Sequence, residues 1–295
     1  MGAGPHDEMA ASGKNVLVRL LAACCALVFA LLLAACGGGS SQSASTEQFD
    51  ISTSEVPEAQ AILAAGQKTS ASQSARVAFK ATFAGANEGE LGGEGVIADH
   101  KGRLTMDLGG LAGLGSGQAE VVFDGLVYYM KLPPGTGVQL PAGQEWFKLD
   151  ISKLGESQGL DLSQLEQLNQ SDPSQALDLL QGASDDFHQI GSAEVRGEST
   201  THYQGTIDLQ RVVAEATPEV KDVYQRLLQL SGADSVPMDV WIGDDGFVRK
   251  LRFTEQVGES SVTVDEELYD FGTDEQVTVP SDDNVIDITA LLGNS

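Results

Sequence analysis

Ala119-Glu120-Val121-Val122-Phe123-Asp124-Gly125-Leu126-Val127-Tyr128-Tyr129-Met130-Lys131-Leu132 places two β-rich runs on either side of Asp124-Gly125. Asp-Gly between such runs is a two-residue hairpin signal, because glycine accepts the positive φ of a tight turn. The stretch therefore predicts two antiparallel strands, Ala119 to Phe123 and Leu126 to Leu132. Upstream, Val77, Phe79, Ala81 and Phe83 alternate with Lys80 and Thr82, the pattern of a strand with one apolar face. Leu104-Thr105-Met106-Asp107-Leu108 repeats it, and Gly92 to Ile97 begins a further strand before a turn at Asp99 to Gly102. Downstream, Glu145 to Ile151 adds a strand carrying Trp146 and Phe147. The first half is a meander of antiparallel strands.

Working outward, Glu55 to Ser70 reads as a helix, with Pro57 in its first turn. Leu160 to Leu168 has leucines at helical spacing. Asp172-Pro173 opens a second short helix, Ser174 to Gln181, that Gly182 stops. Strands resume at Gly191 to Arg196 and Thr201 to Leu209. Thr217 and Pro218 then start a helix with Val220, Val223, Tyr224, Leu227, Leu228 and Leu230 on one stripe. Met238 to Ile242 and Phe247 to Thr254 form a hairpin around Asp244-Asp245-Gly246, and Ser261 to Phe271 and Gln276 to Val279 finish the sheet. The pattern predicts an α+β fold: one curved antiparallel sheet wrapped over a few helices, in one domain over residues 56–290 with a tail at 291–295.

The N-terminus carries a different signal. Lys14 and Arg19 precede an apolar run from Leu20 to Ala35, of signal-peptide length, which ends in Leu33-Ala34-Ala35-Cys36. Small residues let the chain lie extended in a peptidase site, and Cys36 offers a thiol for acylation. The segment resembles the bacterial lipobox. It implies a signal peptide at 1–35, cleavage between Ala35 and Cys36, lipid on Cys36, and attachment to the outer face of the plasma membrane. Several acyl chains on one residue suffice for lasting attachment. Residues 36–55, rich in Gly and Ser, read as a flexible tether averaging roughly 25 Å end to end. Met9 is an alternative start that leaves a more basic head.

Charge and cysteine content exclude several functions. The formal charge is −26, and loss of residues 1–35 leaves it unchanged because two basic and two acidic residues depart together. Such a chain repels nucleic acid and anionic headgroups. All three cysteines lie at or before Cys36, so the domain has no thiol for disulfides, catalysis or a Cys-type zinc site. Gly109 to Gly117 is glycine-rich but lacks the lysine of a phosphate cradle; it reads as a long hairpin connection, with a mobile flap as the sharper alternative. His100, His188 and His202 have no metal-ligand spacing, and Asp244-Asp245-Gly246 and Ser281 to Asn284 are explained by turn chemistry. No nucleophile stands in an activating context. No enzyme, cofactor or metal is expected.

Four stretches in order resemble a known family. These are Val127 to Met130 followed by Glu145 to Leu149; Glu194 to Gly197 with Thr201 to Tyr203 and Thr206 to Asp208; Val236 to Ile242 with Asp245-Gly246 and Val248 to Lys250; and Tyr269 to Gly272 with Val279-Pro280. Together, after a lipobox, they resemble the LppX/LprG-type lipoproteins of actinobacteria, over about residues 57–290. The resemblance implies a LolA-like half-barrel with an apolar cavity between sheet and helices. It also implies a role in binding or carrying a lipid or glycolipid in the cell envelope. The inward apolar set that would line the cavity is Val77, Phe79, Phe83, Met106, Tyr128, Met130, Tyr203, Ile207, Trp241 and Phe253. The bland alternative is that these residues pack a dry core. The second functional hypothesis is a ligand-free scaffold or sensor domain acting by protein contact.

Overall fold

The computed structural model describes residues 57–85, 88–98, 100–109, 117–134, 136, 140, 141, 143–157, 162, 183, 185–216, 218–231, 234–257 and 260–290. Alternation of apolar and polar residues drives its architecture. Strands β1 (Ser74–Ala84), β2 (Gly89–Ala98), β3 (Lys101–Asp107), β4 (Gln118–Asp124), β5 (Val127–Lys131) and β6 (Trp146–Asp150) form an antiparallel meander. A second run comprises β7 (His188–Val195), β8 (Glu198–Asp208), β9 (Ser235–Gly243), β10 (Val248–Val257) and β11 (Ser260–Tyr269). β11 joins the halves by pairing with β1, and β12 (Val285–Asp287) adds to the far edge. The result is a single open sheet of 12 strands in the order β12-β6-β5-β4-β3-β2-β1-β11-β10-β9-β8-β7. A sheet of this many twisted strands curls, here into a half-barrel.

Four helices accompany it among the described residues: α1 (Pro57–Ser70), α2 (Ile151–Ser157), α3 (Leu209–Glu215) and α4 (Pro218–Ser231). Helix α1 buries Ala59, Ile62 and Ala65 at helical spacing and packs against β7, β9 and β10. Its last turn is pinned to the β9–β10 hairpin. The Val248 backbone N–H donates to Thr69 Oγ1 at 2.9 Å, and Lys68 donates to the Asp245 carbonyl. Asp208 caps α3, its Oδ1 accepting from the N–H groups of Gln210 and Arg211 at 2.8 and 3.1 Å.

The two faces of the sheet differ in chemistry. Toward α1 lies one continuous apolar core that includes Val77, Phe79, Leu104, Met106, Val121, Phe123, Ile207, Val240, Leu251, Phe253 and Val264. On the opposite face charges pair across strands, as in Lys250–Asp265 at 2.9 Å, Arg252–Asp265 at 2.7 Å and Arg196–Glu267 at 2.9 Å. Where β4 to β6 carry Val122, Tyr129 and Trp146 outward, the chain beyond β11 covers them with Val277 and Val279.

Three expectations are corrected. Gln276 to Val279 is not a strand; it crosses the outer face as an extended cover, tied by Arg103 to the Thr278 carbonyl. The closing strand is β12, which pairs parallel with β6, so the sheet is mixed rather than wholly antiparallel. The first hairpin turns at Gly125-Leu126, one residue later than expected, with Asp124 and Val127 paired beside it. Gly125 holds φ +57° at the first turn position, which an L side chain adopts only under strain. The helices expected at Leu160 to Leu168 and Ser174 to Gln181 lie outside the described residues, apart from Leu162.

Candidate functional site

Register places one row of inner-face residues straight across the sheet. It runs Ala119, Met106, Gly93, Phe79, Glu266, Leu251, Val240, Tyr203, each the direct cross-strand partner of the next. Gly93 is needed there because the Phe79 ring lies over it: a Cβ on Gly93 would come within 2.8 Å of the ring and 2.5 Å of the Thr105 carbonyl. Every member of the row is apolar or glycine except Tyr203, at one end, and Glu266, in the middle.

Glu266 is 1% exposed, and its Oε1 has no hydrogen-bond partner. Burial alone pushes its carboxyl up to about 8, because a carboxylate loses its hydration in such a place. Asp265, one residue earlier, faces the other way. Its partial burial opposes ionisation, but hydrogen bonds from Arg252 and Lys250 hold its carboxyl below the usual range. The inner face therefore presents a carboxylic acid that is mostly protonated at neutral pH.

Of the ten residues expected to line an apolar interior, Val77, Phe79, Met106, Ile207 and Phe253 are buried in the inner core. Phe83, Tyr128, Met130 and Tyr203 are half-buried against it. Trp241 is not among them. The register of β9 turns Val240 and Ile242 inward and Trp241 outward, where it stacks on His202 with ring centroids 4.0 Å apart. His202 in turn bonds Asp239 at 2.8 Å. Glu266 does not stand out in the sequence because an acid in a strand ordinarily faces solvent. The signal was present: in Asp265-Glu266-Glu267 strict alternation must send at least one acid inward.

Half-buried apolar side chains gather at one end of the strands. Phe83 near the end of β1 pairs with Val262 near the start of β11, and Leu132 just past β5 and Leu209 just past β8 lie at the same end. The opposite end is held by the α1 anchor and by Arg249, which reaches Asp245 and Glu198 at 2.7 and 2.6 Å. Cys36 and Ala35, and Leu111 and Leu114 of the glycine-rich connection, lie outside the described residues. His100, in the β2–β3 turn, bonds Asp124 at the end of β4 at 3.0 Å, and His188 bonds the carbonyl of Asp186 two residues away. Among the described residues no group of His, Cys, Asp or Glu is arranged to hold a metal ion.

Solved structures similar to this chain share little of its sequence. The crystal structure of lipoprotein LppX from Mycobacterium tuberculosis aligns at a TM-score of 0.47 and 16% identity, covering 75% of this chain and 98% of that one. LprF from Mycobacterium bovis aligns at 0.43 and 16%, covering 78% and 100%. An uncharacterised conserved protein from Thermus thermophilus aligns at 0.34 and 11%, covering 78% and 98%. No family model matches the sequence. An uncharacterised 31.2 kDa protein of Streptomyces griseus, from the rplA-rplJ intergenic region, is 28% identical over 159 residues, which is 51% of this chain. The match spans 50% of that relative's length.

Proposed function

We propose that this protein is a membrane-tethered, extracytoplasmic lipoprotein that binds an apolar molecule, a lipid or glycolipid, and carries it without covalent chemistry. The supporting observation is the inner face of the sheet: an apolar surface continuous from β1 to β5 and from β8 to β11, with half-buried Phe83, Val262, Leu132 and Leu209 at one end. A lipid tail gains about 0.8 kcal/mol per methylene removed from water, so such a face is a physical match for an acyl chain. The charged outer face and net charge of −26 keep the loaded protein soluble and off anionic surfaces. The lipobox ending in Cys36 supports the tether. Among the described residues no helix is long and apolar enough to cross a membrane.

Two measurements test the two halves of this proposal. Native mass spectrometry of the full chain, purified from its own host, should show an adduct of several hundred daltons or more that organic solvent releases as lipid. A protein that stays bare, even after incubation with envelope lipid extract, would sink the carrier role and favour a scaffold acting by protein contact. Replacing Cys36 with Ser should move the protein from the membrane to the soluble fraction and remove acyl mass from its N-terminus. An unchanged membrane fraction would sink the anchor.

A further inference from the structure

We propose that Glu266 is the polar anchor of the interior, hydrogen-bonding the hydroxyl or ester oxygen of an uncharged lipid, so that the cargo is a neutral oxygenated lipid rather than a bare hydrocarbon or an ionic amphiphile. This deepens the lipid-binding proposal and rests on it. Glu266 stands mid-row on the inner face, between Phe79 on β1 and Leu251 on β10. Val264 and Leu268 lie two residues away on its own strand, and Ile62 and Ala65 of α1 belong to the same core. None of these can hydrogen-bond a carboxyl through its side chain. Its Oε1 is buried and unpartnered, which costs free energy until something brought in from outside completes the bond.

The chemistry of that partner follows from the surroundings. No titratable side chain from β1, β10 or α1 is among these neighbours. The titratable residues of α1, Glu58 and Lys68, lie at its two ends, with Lys68 committed to the Asp245 carbonyl. Burial is the sole cause raising the carboxyl to about 8, so at neutral pH it is mainly an acid that donates one hydrogen bond and accepts others. A hydroxyl or ester oxygen answers that donor with no charge to desolvate. An ammonium would require a buried ion pair, with the desolvation of both partners. An ionised fatty acid would bring a charge into an apolar interior with no cation beside it, a desolvation cost that one hydrogen bond does not offset.

The test compares oleyl alcohol with 1-octadecene, two chains of equal length that differ in the oxygen, delivered from cyclodextrin to the delipidated full chain. Wild type at pH 6.5 should bind the alcohol about tenfold more tightly, the factor one hydrogen bond in a dry site supplies. Glu266→Leu should lose that preference while still binding octadecene. Glu266→Gln, which keeps a donor and cannot ionise, should hold the preference at both pH 6.5 and pH 9. Equal affinity of wild type for the two chains, or a preference that survives in Glu266→Leu, would overturn the anchor while leaving lipid binding intact. Failure of wild type to bind either chain would overturn the carrier role and the anchor together.

Discussion

Asp265, Glu266 and Glu267 are consecutive acids whose side chains meet different surroundings. Asp265 bonds Lys250 and Arg252, Glu267 bonds Arg196, and Glu266 points into the core with nothing to bond at Oε1. The folded protein holds the Glu266 proton up to about pH 8, whereas the unfolded chain releases it near 4.5. Between those values the folded state binds more protons, so stability falls as pH rises, and the loss is complete above the folded value. At ~1.4 kcal/mol per pH unit it approaches about 5 kcal/mol. Urea unfolding at pH 5 and pH 8.5 should therefore show a steeper decline for wild type than for Glu266→Gln. Superimposable pH profiles for the two would contradict this. Trp241 gives the complementary expectation. It is buried on the outer face, so Trp241→Ala should cost about 2–4 kcal/mol of stability and leave lipid loading unchanged. The alternation that placed Phe79 and Met106 inward was legible from sequence. The outward turn of Trp241 is not legible there, because a large aromatic in a strand favours burial on either face and only register decides which.

At the scale of elements, strands were more legible than their turns. Period-two patterning located β1, β3, β9 and β10 closely, since apolar residues at alternate positions leave little freedom in which side is buried. The turn falls at Gly125-Leu126, one residue beyond the Asp-Gly signal, because pairing of Asp124 with Val127 is set by the whole β4–β5 ladder. Replacing Gly125 with Val should cost roughly 1–2 kcal/mol, since φ +57° is closed to a β-branched residue. Gly93 is a harsher constraint of another origin. Nothing local in Gly92-Gly93-Glu94 reveals that the Phe79 ring occupies the place of a Cβ. Gly93→Ala should cost about 1–3 kcal/mol by crowding both that ring and the Thr105 carbonyl, read as a lower urea midpoint with an unchanged slope.

The whole molecule solves a problem that no single hairpin poses: outward apolar residues on β4 to β6 must also be covered. Val122, Tyr129 and Trp146 would face water if the sheet had only one buried face. The chain after β11 leaves the sheet plane at Gly272, whose N–H bonds the Ser74 carbonyl, and crosses the outer face. It reaches β6 by way of the Glu145 N–H bond to the Asn284 carbonyl and then pairs parallel as β12. That route was illegible because Val277-Thr278-Val279 alternates like a strand, and alternation cannot distinguish pairing in a sheet from lying across one. The cover is directly testable because the protein has two tryptophans, one of which, Trp146, lies beneath it. In a Trp241→Phe background, Val277→Asp with Val279→Asp places two charges against an apolar patch. Trp146 emission should shift to the red and stability should fall by about 2–4 kcal/mol, while the inner face, on the other side of the sheet, keeps its lipid. An unshifted spectrum would mean that the segment does not shield Trp146. Loss of lipid along with the red shift would mean instead that the outer cover and the inner face fold as one unit, with the C-terminal segment holding β4 to β6 in place in the sheet.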